Sequence, residues 1–328
     1  MDLDLVFLGT SGSGPTAQRS PSATLLRRGG DRILIDCAEG TQRQLMRSSV
    51  GLPELREVFL THFHADHYLG LPGMLKTFAL RGRTEPLMIY GPRGLGRFFG
   101  DQAGLFGIGN LTYPYELREL DAGDELDRGD HRIVAFPVRH RVRALGYALI
   151  EQPRPGRFDV ETADALGVPA PRRGDLQRGS TVDLGDGRTV SSEQVLGPPR
   201  PGRKVVLAGD TMPAEAVLEI ASGAEVLVHE ATFCEDERER ARETWHSTAS
   251  EAARIAQAAD VSMLALTHIS SRYSGGDVRR EAADVFPNTV VPRDFDVIEV
   301  PYPERGPPQL VKGGALPARE AEAVSSPR

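Results

Sequence analysis

The segment Thr61-His62-Phe63-His64-Ala65-Asp66-His67 gathers three imidazoles and a carboxylate in six residues, directly after the apolar run Glu57 to Leu60 and just before Gly70. In an extended loop alternate residues point the same way, so His62 and His64 can converge on one cation, and the turn that follows presents Asp66 and His67 to a second. Imidazole with carboxylate suits zinc, with manganese as the alternative. Three more candidates stand just past short apolar runs: His140, Asp210 in Ala208-Gly209-Asp210-Thr211, and His268 in Leu266-Thr267-His268. If Asp210 bridges two ions, then His62, His64 and His140 complete one shell, and Asp66, His67 and His268 the other. Two ions roughly 3.5–4 Å apart activate a water and stabilise both the attacking and the leaving oxygen, which is the arrangement of a two-metal hydrolase.

Each of these residues needs a strand behind it. Leu3 to Leu8 reads as a strand, and Thr24 to Leu26 and Ile33 to Ile35 flank Arg27-Arg28-Gly29-Gly30-Asp31-Arg32 as a hairpin. Further strands are expected at Glu57 to Leu60, Leu87 to Tyr90, Arg132 to Phe136, Leu145 to Ile150, Val205 to Leu207, Val226 to Val228 and Met263 to Leu266, with helices near Met74 to Leu80 and Arg93 to Phe99. Thr248 and Glu251 form a T-x-x-E capping box ahead of the stripe Ala252, Ile255, Ala256, Ala259. The repeated order of strand before helix predicts an α/β or α+β layered domain over residues 1–303. Two segments break it. Residues 152–203, rich in Pro, Gly and Arg, read as an inserted excursion, and residues 304–328 read as a disordered tail.

Composition narrows the class. With 328 residues, 40% hydrophobic and 26% charged, the chain buries a sizeable core, which excludes whole-chain disorder. No stretch approaches 18 uncharged apolar residues, and Asp2 and Asp4 stand where a secretory signal would carry Lys or Arg, so the expectation is a soluble, cytoplasmic protein without a membrane partner. Cys37 and Cys234 belong to no C-x-x-C pair and are expected to pack as small apolar groups. The net charge of -7 argues mildly against nonspecific coating of nucleic acid, while leaving room for a local basic surface.

The cluster Thr61 to His67 with His140, Asp210 and His268 resembles the metallo-β-lactamase superfamily, which implies a four-layer αββα sandwich with the metals at one edge. Within it, Gly9-Thr10-Ser11, Asp36 to Gln44, His229-Glu230-Ala231-Thr232-Phe233, Trp245-His246-Ser247-Thr248-Ala249 and Thr267 to Tyr273 are similar in order and spacing to the blocks of the ribonuclease Z family. That resemblance covers Met1 to about Pro301. It implies a homodimeric short form with two zinc ions per subunit that removes 3′ trailers from precursor tRNA. It also implies that the excursion after Gln152 is a flexible arm gripping the tRNA elbow and serving the partner subunit's active site. The chain departs from the family's usual pattern at Ala170-Pro171 in the arm and at Pro15-Thr16-Ala17-Gln18-Arg19-Ser20 in the early loop.

Phosphodiester hydrolysis also needs a proton for the departing 3′ oxygen, and His246, expected just ahead of the capped helix, is the candidate general acid, with Glu230 to orient it. Asp66 both binds metal and orients the attacking oxygen in this reading. By resemblance, Arg272 and Ser270 contact substrate phosphate. His229 is expected in the core or behind the ligands, and His131 at the surface. Two rival functions stay open on the sequence: a hydrolase of the same fold acting on a small phosphodiester or ester, and a catalytically silent RNA-binding protein. The intact ligand set disfavours silence, and the Arg-bearing excursion disfavours a small substrate, which needs no remote grip.

Overall fold

The computed structural model describes residues 1–52 and 55–314. The N-terminal half contributes β1 (Leu3–Gly9), β2 (Ala23–Arg28), β3 (Asp31–Ile35), β4 (Glu57–Phe59), β5 (Leu87–Pro92) and β6 (Tyr115–Leu120). The chain then builds a second sheet from β7 (Glu125–Asp127), β8 (His131–Pro137) and β9 (Leu145–Glu151). After a small hairpin of β10 (Val182–Asp183) and β11 (Thr189–Val190), that sheet resumes with β12 (Lys204–Leu207), β13 (Val226–Glu230), β14 (Met263–Thr267) and β15 (Thr289–Val290). Finally β16 (Val297–Glu299) and β17 (Gln309–Val311) return to the first sheet. The sheet orders are β17-β16-β1-β2-β3-β4-β5-β6 and β15-β14-β13-β12-β9-β8-β7.

Alternation along the strands decides the layers, because successive side chains leave a strand on opposite faces. Leu5 and Phe7 of β1, Ile33 and Ile35 of β3 and Phe59 of β4 meet Ile133 and Ala135 of β8, Tyr147 and Leu149 of β9, Val205 of β12 and Val228 of β13 in one core between the sheets. The intervening residues Val6, Leu34, Val58 and Ile89 pack outward on Met74, Leu75 and Phe78 of the helix Gly70–Leu80 and on Leu95 and Phe99 of the helix Leu95–Phe106. On the other side, Val206, Leu227, Leu264 and Leu266 pack on Val217 of the helix Glu215–Ala221, on Ala252, Ile255 and Ala256 of the helix Ala249–Ala258, and on Val278 and Ala282 of the helix Gly275–Ala283. Helix, sheet, sheet, helix is the αββα sandwich.

β3, β4, β5 and β6 run parallel, as do β12, β13, β14 and β15, so the carboxyl ends of these strands gather at one edge, the place where open α/β sheets bind ligands. Backbone bonds between Thr10, Gly12 and Ile269 tie the sheets together there, and two further bonds join β9 to the end of β4. Tyr147 donates its hydroxyl proton to Leu60 O at 2.7 Å, and Leu145 N–H donates to Thr61 O at 2.9 Å.

The two excursions differ from the sequence expectation in detail. The arm has its own small core of Ala163, Val168, Leu176, Val182, Val190 and Val195, with short helices at Val160–Ala165 and Arg173–Gln177. The tail expected from residue 304 is structured as far as Gly314, because Ile298 pairs with Leu310 and adds β17 to the first sheet. Residues 315–328 lie outside the described residues.

Candidate functional site

The residues singled out above as metal ligands converge. His62, His64 and His140 bring one ligand atom each within 4.8 Å of one another, and so do Asp66, His67 and His268. Asp210 stands between the two trios: its Oδ2 lies 3.3 Å from both His67 Nε2 and His268 Nε2 and 3.9 Å from His62 Nε2. His268 Nε2 is 3.3 Å from Asp66 Oδ2, and His140 Nε2 is 3.2 Å from His64 Nδ1. These side chains come from the ends of β4, β8, β12 and β14, four strands distributed over both sheets.

The far nitrogens of the rings are held by residues that carry no ligand role. His67 Nδ1 is 2.7 Å from Asp36 Oδ2, and Asp36 also accepts from the Thr61 amide and hydroxyl. Thr61 Oγ1 in turn takes His62 Nδ1 at 3.0 Å. His268 Nδ1 meets Thr232 Oγ1 at 2.8 Å, and His140 Nδ1 meets Trp245 O at 3.1 Å. Such partners fix ring orientation and tautomer, leaving Nε2 of His62, His67, His140 and His268 to face the centre. Several of these residues occupy left-handed backbone (Asp36 at φ 58°, Trp245 at 65°, His268 at 57°), a conformation non-glycine residues hold only where surrounding bonds compel it. Sequence reasoning passed over Asp36 and Thr232 as functional groups. Both fall inside the family-like blocks Asp36 to Gln44 and His229 to Phe233, but as small polar residues near strand ends they fit many structural positions, and nothing in the blocks marks them as partners of the ligands.

Three atoms of the site, His62 Nε2, His67 Nε2 and Asp210 Oδ1, are buried without a hydrogen-bond partner. Buried polar atoms are normally paired, so orphans grouped around one carboxylate are what a cation would satisfy. The electrostatics agree. Burial works against charge on Asp210, yet His268 and His67 outweigh it and hold its carboxyl well below the usual range. Asp66 is held down in the same way, chiefly by His268. Burial also opposes a cationic His67, but Asp210 and Asp36 prevail and hold its pKa well above the usual imidazole range, so an ion there would displace a proton. Burial lowers His62, His64 and His140, which keeps them in the neutral form that ligates metal. The donor set of imidazoles and carboxylates therefore fits divalent ions.

Beside the trios stands His246. The helix Arg238–Thr244 ends at Trp245 in left-handed backbone, and Thr248 caps the helix Ala249–Ala258 with the expected capping box, so His246 is pinned between a helix end and a helix start. Its Nδ1 lies 2.7 Å from Glu230 Oε1. Glu230 is itself fixed by the Thr211 and Thr232 amides and the Thr232 hydroxyl at 3.0, 3.1 and 2.7 Å. Burial disfavours the His246 cation, but the Glu230 carboxylate outweighs that and pushes the ring up to about 9. With Nδ1 engaged, Nε2 is the nitrogen free to pass a proton. Thr232 Oγ1 thus links Glu230, His246 and His268 in one network.

The remaining candidates fall in different places. Ser270 is buried and accepts from the Arg272 guanidinium at 3.3 Å; Arg272 is half exposed and also lies 3.6 Å from Glu237. His229 is fully buried in the sheet, its Nδ1 2.8 Å from the Glu230 carbonyl. Cys37 and Cys234 are buried and free. His131 corrects the expectation: it is buried, not at the surface, because it opens β8 beside β9 and its Nδ1 engages Asp130 at 2.8 Å. In the arm, Arg172 and Arg178 pair with Asp175, Arg173 with Asp164, and Arg154 with Glu304, which cancels much of the positive charge its sequence suggests.

Fold and site together define a member of the metallo-β-lactamase superfamily, and the model of that superfamily matches residues 17–144. The chain belongs to its ribonuclease Z family. It is 46% identical to ribonuclease Z of Methanosarcina acetivorans over 303 residues, 92% of this chain and 99% of that one. It is 50% identical to ribonuclease Z of Myxococcus xanthus over 272 residues, 83% of this chain and 88% of the relative. Among solved structures it is similar to the short form of human tRNase Z, with a TM-score of 0.66 and 28% identity over 91% of this chain and 99% of that chain. Among the described residues, no helix is long and apolar enough to cross a membrane.

Proposed function

We propose that the protein is a zinc-dependent endoribonuclease, with manganese as the alternative metal, that cleaves 3′ trailers from precursor tRNA in the cytoplasm and leaves a 3′ hydroxyl on the tRNA. The observation that carries this reading is the pairing of two complete ligand trios around Asp210 with a carboxylate-held imidazole, His246, at their side. His62, His64 and His140 would hold one ion, Asp66, His67 and His268 the other, with Asp210 placed to serve both. Bound there, two divalent ions activate water and neutralise charge on the phosphate.

The chain's own groups do the rest. Asp66, whose Oδ2 accepts from the Ser13 amide at 2.8 Å, is fixed in position to orient the incoming nucleophile. His246 delivers a proton from Nε2 to the departing 3′ oxygen, and Glu230 keeps the ring charged and aimed. Ser270 and Arg272 contact the substrate phosphate. The arm binds tRNA away from the metals. It leaves the body between Glu151, at the end of β9, and Lys204, at the start of β12, whereas Leu145 at the other end of β9 bonds to Thr61 of the site. Seven strand residues put the arm's root about 20 Å from the ligands of its own subunit. That distance favours an arm that serves a second subunit, and hence a homodimer.

The test is end mapping. The metal-loaded protein incubated with a trailer-bearing precursor tRNA should yield a tRNA with a 3′ hydroxyl, a chelator should abolish cleavage, and zinc or manganese should restore it. Hydrolysis of a small chromogenic phosphodiester with no tRNA cleavage would transfer the assignment to a small-substrate hydrolase. Tight RNA binding with neither activity in the metal-loaded protein would make it a silent RNA-binding protein.

A further inference from the structure

The neck of the arm is gripped from outside by a segment that belongs to the opposite sheet. Arg154 and Arg200 form the innermost cross-bridge of the neck, their amides and carbonyls exchanging bonds of 2.8 and 2.9 Å. Glu304 takes Arg154 in a bidentate pair, 2.9 Å at both oxygens, and also lies 3.1 Å from Arg200 Nη1, so a single carboxylate binds both strands of the neck. The Arg154 guanidinium carbon sits 3.5 Å from the centroid of the Tyr302 ring, and that of Arg203 sits 4.0 Å from it. Arg203 in turn is anchored by Glu151 and by the Val300 carbonyl.

The holder is itself tethered on both sides. Tyr302 and Glu304 lie between β16 and β17, which pair with each other in the first sheet, whereas the neck grows from β9 and β12 of the second. Without these contacts the neck is held by backbone bonds between its own strands, among them Arg154 with Arg200, Arg157 with Gly197 and Asp159 with Val195, and by the Gln152 amide on the Asp130 carbonyl at its root, and the arm's own core beyond them is a separate cluster. Bonds between its own strands hold a two-stranded ribbon together but do not by themselves set its direction relative to the body. A bidentate pair and stacked guanidinium groups fix its direction.

We propose that Tyr302 and Glu304 are positioning residues for the arm, setting its direction relative to the sandwich so that it meets precursor tRNA already oriented. This rests on the reading of the arm as a tRNA-binding element. The double variant Tyr302→Ala/Glu304→Gln, in the full metal-loaded chain, removes both contacts without touching the metal site. Spin labels at Thr181→Cys in the arm and Glu219→Cys on the body report arm direction directly, by pulsed distance measurement.

The expected result is a broadened distance distribution, a KM for precursor tRNA raised about tenfold with kcat nearly kept, and an unchanged rate on a small chromogenic phosphodiester, because the loss is one of preorganisation. Tyr302→Phe should keep the narrow distribution and the KM. If the double variant keeps a narrow, unshifted distribution, the clamp is overturned whatever the activity. If the distribution broadens but tRNA processing is unchanged, the clamp stands as an anchor and the arm is not the tRNA-binding element. A fall in rate on both substrates would mean a general structural role and would also overturn the proposal.

Discussion

Replacing His246 with alanine separates proton donation from metal binding, since the ring sits beside both trios without being needed by either. Its Nδ1 is taken by Glu230 at 2.7 Å, which leaves that nitrogen engaged by a carboxylate and not by an ion. His246→Ala should therefore retain both ions by elemental analysis. A positioned general acid is worth about 10²–10⁴-fold, or roughly 2.7–5.4 kcal/mol of barrier, so cleavage of precursor tRNA should fall by that factor in single-turnover assays. The loss should depend on the leaving group. A departing ribose 3′ oxygen needs its proton in the transition state, whereas a nitrophenolate leaves without one, so the variant should stay within about tenfold of wild type on a chromogenic phosphodiester. Glu230→Gln should fall between the two on tRNA, because its shape persists while the charge holding the imidazolium is gone. Equal losses on both substrates with both metals present would refute the assignment of His246 as the acid.

Asp210→Ala should lose far more metal than His268→Ala, because its Oδ2 approaches ligand nitrogens of both trios; elemental counting that finds two ions still on Asp210→Ala would remove the bridging role. Thr232→Val takes away the oxygen that holds His268 Nδ1, and metal affinity in competition with a chelator should drop about 10–100-fold while the fold persists by circular dichroism. Far from the site, Glu151 is nearly buried: burial works against its charge, but Arg203, with Arg28, outweighs that and pulls its pKa from 4.5 to about 2. A carboxyl depressed in the folded state adds stability that is full above its unfolded value and lost as pH falls through its folded one, so thermal stability should decline between about pH 4.5 and 2. Glu151→Gln strands the buried Arg203 and should cost about 3–5 kcal/mol near neutral pH, with a flatter decline over that acid window, measured by denaturant melts.

Much of the centre was legible in the chain because its chemistry is local. His62, His64, Asp66 and His67 share one loop, and no common structural duty requires three imidazoles and a carboxylate in six residues. The capping box at Thr248 and Glu251 and the small-residue stripe behind it likewise follow from nearest-neighbour helix physics, and they fixed where His246 must stand. The short apolar runs in Leu3 to Leu8 and Ile33 to Ile35 announced strands, and strands preceding helices announced layers.

What only the tertiary structure decided depends on residues far apart in sequence meeting in space. That Asp36 would bond to His67, 31 residues on, and Thr232 to His268, 36 residues on, follows from sheet order and crossover, which no local pattern encodes. His131 fitted no ligand slot and was expected at the surface, and it is buried because β9 lies alongside β8. The segment after residue 304 looked too poor in large apolar groups to fold, yet Gln309–Val311 completes the edge of a sheet, where backbone bonds rather than side-chain burial supply the stabilisation. For the same reason the arm's direction was invisible in sequence: it rests on Tyr302 and Glu304, about 150 residues from Arg154, which are brought there by the sheet they leave and not by anything in the arm itself.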